Sequence, residues 1–392
     1  MTIDRRHLLS ALPAAALWPV MTRADIVPFD LVAFERRRVT SLAEAALGRD
    51  IVTLTAFPAA RSPGSRNDYY SEGDYWWPDP AHPGGPYIRR DGFSNPDKFD
   101  AHRLAIIRLS LDMPALTAGW KVTGRREFAA RAAAHLRAWF VDPATHMTPN
   151  LEHAQAIIGV NTGRGIGIID TLHLVEVARA VETLKTADSA LFPDADKAAV
   201  TAWFGDYLHW MRTSANGQDE RGQTNNHGSA WWLQAVQFAR LSPDAAFFTE
   251  AADWVRTKIV PQQIAPDGKL PLELARTKPY SYSLFDLEVL CALFHCLAQS
   301  GQPLWTFETP DGRSLAKAEA FMVPFIADKK LWPYPPDVEN FADFPIRQNS
   351  LLFSGLALNK PDYMALWRRL PPDSTVPEVI RNFPIRQPVL WL

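Results

Sequence analysis

Apolar residues recur along this chain at three- to five-residue intervals, the period of a helix buried along one face. Residues 99–118 carry Leu104, Ile107, Leu111 and Leu116 on that spacing, and residues 125–140 repeat it with Phe128, Ala132, Leu136 and Phe140. The same pattern predicts helices over 165–186, 196–213, 228–241, 244–259, 282–298, 314–327 and 359–369. Their lengths, roughly 11 to 22 residues, suit globular helices. Period-two alternation is scarce, so strands are expected to be short.

The connections carry helix breakers: Asp142-Pro143, Ser242-Pro243, Pro266-Asp267-Gly268 and Ser300-Gly301. Proline lacks the N–H that continues a helix, and glycine favours the left-handed turn that ends one. Helices joined by short loops pack antiparallel. Many such hairpins in one chain predict an all-α fold, an α/α toroid formed as an incomplete barrel of helix hairpins. An open helical-repeat array would show a fixed period, and none is visible; a bundle of ordinary helical domains is the other arrangement. Two segments break the helical pattern, residues 58–98 and residues 328–350, the latter with Trp332-Pro333-Tyr334-Pro335-Pro336. Their aromatic content argues against disorder, and they are expected to be ordered loops over the mouth of the toroid. No linker composition divides residues 25–392, which are read as one domain.

Composition narrows the function. The chain has 392 residues and a formal net charge of −2, which argues against nucleic acid as a partner, since phosphate contacts need clustered Lys and Arg. A local basic groove for an anionic substrate remains compatible with that balance. The 14 Trp are read as core packing, unless some group at the surface to stack on sugar rings. Cys291 and Cys296, five apart in a predicted helix, point about 140° away from each other and are expected to be buried free thiols. No Cys/His spacing of a metal site appears in the sequence. Asp4-Arg5-Arg6-His7-Leu8-Leu9 begins a twin-arginine pattern, followed by the apolar segment Leu8 to Val20 and a small-residue site at Thr22-Arg23-Ala24. Residues 1–24 are therefore read as an export signal, too short for a membrane anchor. A periplasmic or secreted mature protein with no membrane association is the expectation; a plain basic terminus is the alternative.

The polar residues carry more. Asn225-Asn226-His227 opens the apolar run Ala230-Trp231-Trp232-Leu233, and Glu273-Leu274-Ala275-Arg276 with Tyr280-Ser281-Tyr282 precedes the run from Leu284 to Leu297. Both sets fall where helices meet loops, at one rim of a helical core. An amide, an imidazole, a guanidinium and a phenol suit one chemistry: neutralising a uronate carboxylate, removing the proton beside it and protonating a leaving oxygen. Each residue also has a plainer reading. Asn225-Asn226 can be a helix cap, His227 a satisfied buried histidine, Arg276 a surface partner of Glu273 at i,i+3, and the two tyrosines packing residues.

With these residues in view, the chain resembles the alginate lyase superfamily of polysaccharide lyases over roughly residues 60–300. Ser71-Glu72-Gly73-Asp74-Tyr75-Trp76-Trp77-Pro78-Asp79-Pro80, Pro86-Tyr87-Ile88-Arg89-Arg90-Asp91-Gly92 and Asn95-Pro96 are the most specific stretch and look like polysaccharide lyase family thirty-eight. Gln155-Ala156-Ile157 with Gly163-Arg164-Gly165 adds to the match, and the Asn-Asn-His and Glu-Leu-Ala-Arg segments also look like family five. The resemblance implies an α/α toroid and a catalytic set of Asn226, His227, Arg276 and Tyr282. It departs at the tyrosine, which in family five lies between two His and here between Ser281 and Ser283 at a spacing one residue shorter. Tyr280 is thus a rival for the tyrosine's role. Tyr75, Trp76, Trp77, Arg89, Arg90, Gln155 and Arg164 are the candidate substrate contacts, with Tyr75 and Trp76 ahead of Trp77 as ring faces for sugars.

The chemistry expected of the set is explicit. Hydrogen bonds and positive charge on the uronate carboxylate favour the enolate-like intermediate over the ground state. A nearby Arg lowers the pKa of a phenol from its ordinary ~10, so Tyr282 is expected to ionise, take the C5 proton and return it to the C4 oxygen on the same face. That syn route suits mannuronate. For an anti substrate, His227 would be the base. The expected substrate is an anionic β-linked uronate polysaccharide, mannuronate-rich alginate first and glucuronan second, and the reaction asks for no cofactor. Two other classes remain. A glycoside hydrolase would use a carboxylate pair drawn from Asp74, Asp79, Asp91 and Glu273, and a non-catalytic binding protein would need only the Arg and aromatic residues.

Overall fold

The structure, a computed structural model, describes residues 29–392; the twin-arginine segment lies outside them. Helix α1 (Leu31–Leu47) is followed by short strands β1 (Tyr70–Glu72), β2 (Trp76–Trp77) and β3 (Ile88–Arg89), then by α2 (Ala101–Thr123) and α3 (Arg126–Phe140). Strand β4 (His153–Ala156) and a 3-10 turn over Gly165–Thr171 lead into α4 (Leu174–Leu184). The rest is helical: α5 (Asp194–Thr213), α6 (Ala215–Arg221), α7 (Asn226–Ala239), α8 (Ala245–Trp254), α9 (Val260–Gln263), α10 (Pro271–Leu274), α11 (Pro279–Gln299), α12 (Leu315–Ala327), α13 (Asn349–Ala357), α14 (Pro361–Arg369) and α15 (Pro377–Asn382). Strand β1 pairs in parallel with β4, and β2 pairs antiparallel with β3, Trp76 opposite Arg89.

Helices α2, α4, α7, α11 and α13 pack in succession as an inner layer, with α1 and α3 outside α2, α5 and α8 outside α7, and α12 and α14 outside α13. This is the α/α toroid. Helix α11 is largely apolar and long enough to cross a membrane, but 83% of its most apolar window is buried in the protein. It is a core helix, wedged between α7 and α13. Trp139, Trp231, Trp232, Trp367 and Trp391 are fully buried, so the packing reading holds for them, and Cys291 and Cys296 are buried free thiols.

The inner helices run the same way. Arg103, His173, Asn226 and Tyr282, at the beginnings of α2, α4, α7 and α11, all line one cavity. At the opposite end, the last residues of the chain tie the helices together. Arg179 of α4 donates to the carbonyls of Leu390 and Trp391, both at 2.9 Å. Gln299 of α11 donates to Trp391 O at 3.0 Å, His295 bonds the same oxygen at 2.9 Å, and Lys121 of α2 reaches Leu392 O.

Four departures from the periodicity have physical causes. Helix α1 was not predicted because its buried stripe of Leu31, Glu35, Val39, Ala43 and Ala46 contains a carboxylate. Glu35 is buried only because Arg38 and Arg347 neutralise it. The helix expected over 165–186 begins as a 3-10 turn, which directs Ile169, Asp170 and His173 into the cavity. The 244–259 helix passes through a π turn at Val255–Ile259, just ahead of Pro261, which cannot donate to the preceding turn. The loop expected over 328–350 ends at α13, whose polar Asn349, Ser350 and Ser354 are buried rather than exposed.

Ser350 sits in a polar island between α11, α12 and α13. Its N–H donates to Glu288 Oε2 at 2.8 Å and its hydroxyl to Glu319 at 3.3 Å. Burial pushes Glu288 up to about 8 and Glu319 up to about 7. The folded state thus holds these protons more tightly than the unfolded chain. The stabilisation is complete below the ordinary Glu range and is lost as pH rises through 7 and 8. Denaturant unfolding at pH 6 and pH 9 is expected to show a drop on the order of a few kcal/mol, and Glu288→Gln with Glu319→Gln is expected to remove most of it.

Candidate active site

The cavity at the helix beginnings has a volume of about 290 Å³. Five arginines line it, Arg89, Arg103, Arg164, Arg276 and Arg381, against the two carboxylates Asp74 and Asp170. In a chain of net charge −2 the lining thus holds more arginines than carboxylates, and the N-termini of α2, α4, α7 and α11 add their positive dipole ends. Asn226, His227, Arg276, Tyr282, Tyr75, Trp76, Arg89, Gln155 and Arg164 all line it.

Asn225 caps α7, its side chain accepting from His227 N. The capping reading is therefore correct for Asn225 and not for Asn226, whose amide donates to Glu273 Oε2 at 2.6 Å while its backbone N–H donates to Oε1 at 3.0 Å. The buried Glu273 thus fixes Asn226 and is no partner of Arg276. His227 meets Glu220 Oε1 through Nδ1 at 2.8 Å. Burial pulls the imidazole down, but the contact with buried Glu220 outweighs it and holds His227 above its ordinary value. With Nδ1–H committed to Glu220, protonation supplies an Nε2–H donor on the opposite edge of the ring.

Arg276 Nη2 donates to Tyr282 Oη at 3.3 Å, and its guanidinium lies 4.3 Å from the centre of the Tyr282 ring. The hydroxyls of Tyr282 and Tyr75 are 2.6 Å apart. The expected lowering of Tyr282 is reversed in this setting. Burial dominates, Tyr75 adds to it, and Arg276 offsets only part, so Tyr282 lies well above the ordinary tyrosine value and is a neutral phenol at rest.

Tyr280 is not in the cavity. One residue-step of about 100° along the helix separates each neighbour, so two residues on, Tyr282 faces the opposite side. Tyr280 is fully buried among Trp332 and Phe341, its hydroxyl donating to Phe325 O at 2.9 Å. Neither role assigned to it from sequence, substrate contact or catalytic rival, fits that position. Trp77 and Arg90 also lie outside the cavity lining: Arg90 stacks 5.1 Å from the Trp77 ring, and the Trp77 indole donates to Phe93 O. The strand pleat explains this, because Trp76 and its cross-strand partner Arg89 share the cavity face and Trp77 points away.

Gln155 takes a left-handed backbone, φ 50°, which costs a non-glycine residue about 1 kcal/mol or more. Its amide links Asp170, at 2.9 Å, to Arg164, at 3.0 Å. Both ends are occupied within the protein, so Gln155 is a brace. Arg164 has no carboxylate partner among the described residues, alone among the five cavity arginines, and burial lowers its affinity for a proton. Sequence reasoning missed Arg381 and Arg103. Both clamp Asp74, Arg381 at 2.6 Å and Arg103 at 2.8 Å, and hold its carboxyl far below the usual range despite burial. Nothing in the local sequence around Arg381 separates it from other arginines on short helices.

The hydrolase alternative fails on these contacts. Asp79 pairs with His82 outside the cavity, Asp91 with Arg276 and Arg89, and Glu273 with Asn226. Asp74 is clamped, and Asp170 accepts from Tyr69, Ser71, Gln155 and Arg103. Among the described residues, both carboxylates that line the cavity, Asp74 and Asp170, are thus held as acceptors by protein donors. Among the described residues no group of three His, Cys, Asp or Glu side chains is arranged to hold a metal ion.

Glu220→Gln is expected to move the NMR titration of His227 to lower pH, each unit removing about tenfold of the charged imidazole at higher pH. Tyr280→Phe is expected to leave turnover near normal and to reduce stability by about 1 kcal/mol, the ordinary value of a lost hydrogen bond, in paired kinetic and denaturation measurements.

No curated protein matches the chain. The sequence profile of the alginate lyase family matches residues 53–332. Among solved structures, an alginate lyase from Bacteroides ovatus superposes with a TM-score of 0.79 at 30% identity, covering 92% of this chain and 93% of that one. A variant of alginate lyase A1-III complexed with a tetrasaccharide superposes with a TM-score of 0.51 at 14% identity, over 81% of this chain and 84% of that one, and shares the fold. With a profile spanning most of its length and a relative aligned almost end to end, this protein belongs to the alginate lyase family and is a polysaccharide lyase.

Proposed function

We propose that the enzyme cleaves mannuronate-rich alginate by β-elimination, with glucuronan as the second substrate, in the periplasm or outside the cell. The observation that carries the reading is the opening of Asn226, His227, Arg276 and Tyr282 onto one cavity whose arginines outnumber its carboxylates. The twin-arginine sequence at Arg5-Arg6 and the apolar segment after it support export.

In this reading the scissile uronate places its carboxylate against Asn226 and His227. The amide donates an N–H and the charged imidazole donates through Nε2. These bonds strengthen as charge from C5 spreads onto the carboxylate. Tyr282, once ionised, takes the C5 proton. The electron pair left on C5 forms the C4–C5 double bond as the C4–O bond breaks, and the same phenol returns the proton to the leaving oxygen. Arg276 stabilises the phenolate form from 3.3 Å. Tyr75, hydrogen-bonded to Tyr282, holds the phenol oxygen in place and gives its proton an exit. Arg164, the cavity arginine with no carboxylate partner among the described residues, takes a neighbouring uronate carboxylate through the edge that Gln155 leaves open, with Trp76, 5.8 Å from its guanidinium, as a wall for a sugar ring.

Ultraviolet absorbance with polymannuronate, polyguluronate and glucuronan in parallel tests the reading. A rise from the conjugated double bond is expected, fastest on polymannuronate. Tyr282→Phe is expected to reduce kcat by about 10³-fold, within the range of a lost general acid–base group, and the wild-type rate is expected to climb from acid pH because the resting phenol must ionise. New reducing ends without absorbance, or near-normal turnover in Tyr282→Phe, would sink it.

A further inference from the structure

Asp91 is a residue the proposed chemistry does not use, yet it touches two that the cavity depends on. Oδ1 accepts from Arg276 Nη2 at 3.0 Å and from Arg89 Nη2 at 2.6 Å. Oδ2 accepts from Arg276 Nε at 3.3 Å and from the Thr277 hydroxyl at 3.1 Å. Arg89 and Arg276 line the cavity and Asp91 does not. The carboxylate therefore sits behind the two guanidinium groups, which reach it from different walls, one from strand β3 and one from the segment leading into α11.

The contact with Arg276 is two-pronged, through Nε and Nη2, and fixes the plane of the guanidinium as well as its position. The same Nη2 donates to Tyr282 Oη. Rotating that plane would remove the bond to the phenol. The backbone after Asp91 is built for this approach. Gly92 has φ +81°, and a Cβ there would lie 2.4 Å from Thr277 Oγ1, so only glycine lets the chain press Asp91 against the Arg276-Thr277 segment. Although burial pushes the carboxyl up, Arg276 and Arg89 outweigh it and keep Asp91 ionised.

We propose that Asp91 is a positioning residue for the elimination. It sets the guanidinium of Arg276 against Tyr282 and, through Arg89, ties the β2–β3 hairpin to the start of α11 as a wall of the substrate cavity. The inference rests on the lyase reading above and deepens it.

A double-mutant cycle on polymannuronate tests it. Asp91→Asn conserves volume and removes the charge that holds the fork. It is expected to lower kcat by about 10- to 100-fold, the scale of a small misplacement of catalytic groups, with Asp91→Glu recovering part of the loss. Arg276→Lys, which cannot form the fork, is expected to lower kcat and to leave Asp91→Asn with less than about a twofold further effect, because the two act as one unit. Thermal melting of each variant reports whether the fold is intact. Near-normal kcat in Asp91→Asn, or equal losses from Asp91→Asn in the wild-type and Arg276→Lys backgrounds, overturns the proposal. If instead Arg276→Lys itself turns over normally, the catalytic reading of Arg276 falls, and the role of Asp91 with it.

Discussion

The active cavity depends on carboxylates, in its wall or behind it, that hold its donors. Glu220 holds His227, Glu273 holds Asn226, Asp91 holds Arg276 and Arg89, Asp170 holds Gln155, and Asp74 holds Arg103 and Arg381. A buried carboxylate without partners is costly, and a long polar side chain without an anchor samples many rotamers. Each pair answers both problems. Removing either member leaves the other stranded, so the pairs function as units in a way that surface ion pairs do not. Preorganisation of this kind separates a lyase cavity from a merely positive groove: the donors are in place before the substrate's charge develops.

Helix polarity supplies the frame. Helices α2, α4, α7 and α11 begin at the cavity, so their positive dipole ends face the space an anionic polymer would fill. The 3-10 turn before α4 and the cap at Asn225 are local irregularities at those beginnings, and each directs a polar side chain inward. The net charge of −2 hides all of this. Charge balance over the whole chain says little about a site in which one face of the fold gathers the arginines.

Helices such as α3, α5 and α14 were legible because burial on one side leaves a repeat in the sequence, and α7 and α11 were legible as apolar runs because they are buried nearly all round; the stripe expected in α2 was misplaced at Leu104, which is exposed. Helix α1 was not, because Glu35 interrupts its stripe and is neutralised by Arg347, more than three hundred residues away. Asn226, His227, Arg276 and Tyr282 were readable as a set from their position where helices start. The alternation of a strand, applied to Trp76-Trp77, would have set Trp77 apart from the cavity, and helix geometry would have set Tyr280 apart from Tyr282. The ionisation of Tyr282 was not readable, since it depends on how burial weighs against one arginine. Arg381 was out of reach for the same reason as α1: its partner Asp74 lies on the far side of the sequence.

The segment from Arg381 to Leu392 links the two ends of the toroid. It supplies a wall of the cavity through Arg381 and, at the other end of the toroid, the carbonyls that Arg179, His295 and Gln299 grip. Contacts between residues so far apart in sequence form late, after the intervening chain has folded. One stretch of chain carries both the clasp on α4 and α11 and a wall of the cavity. Loosening the clasp in this fold would also loosen that wall.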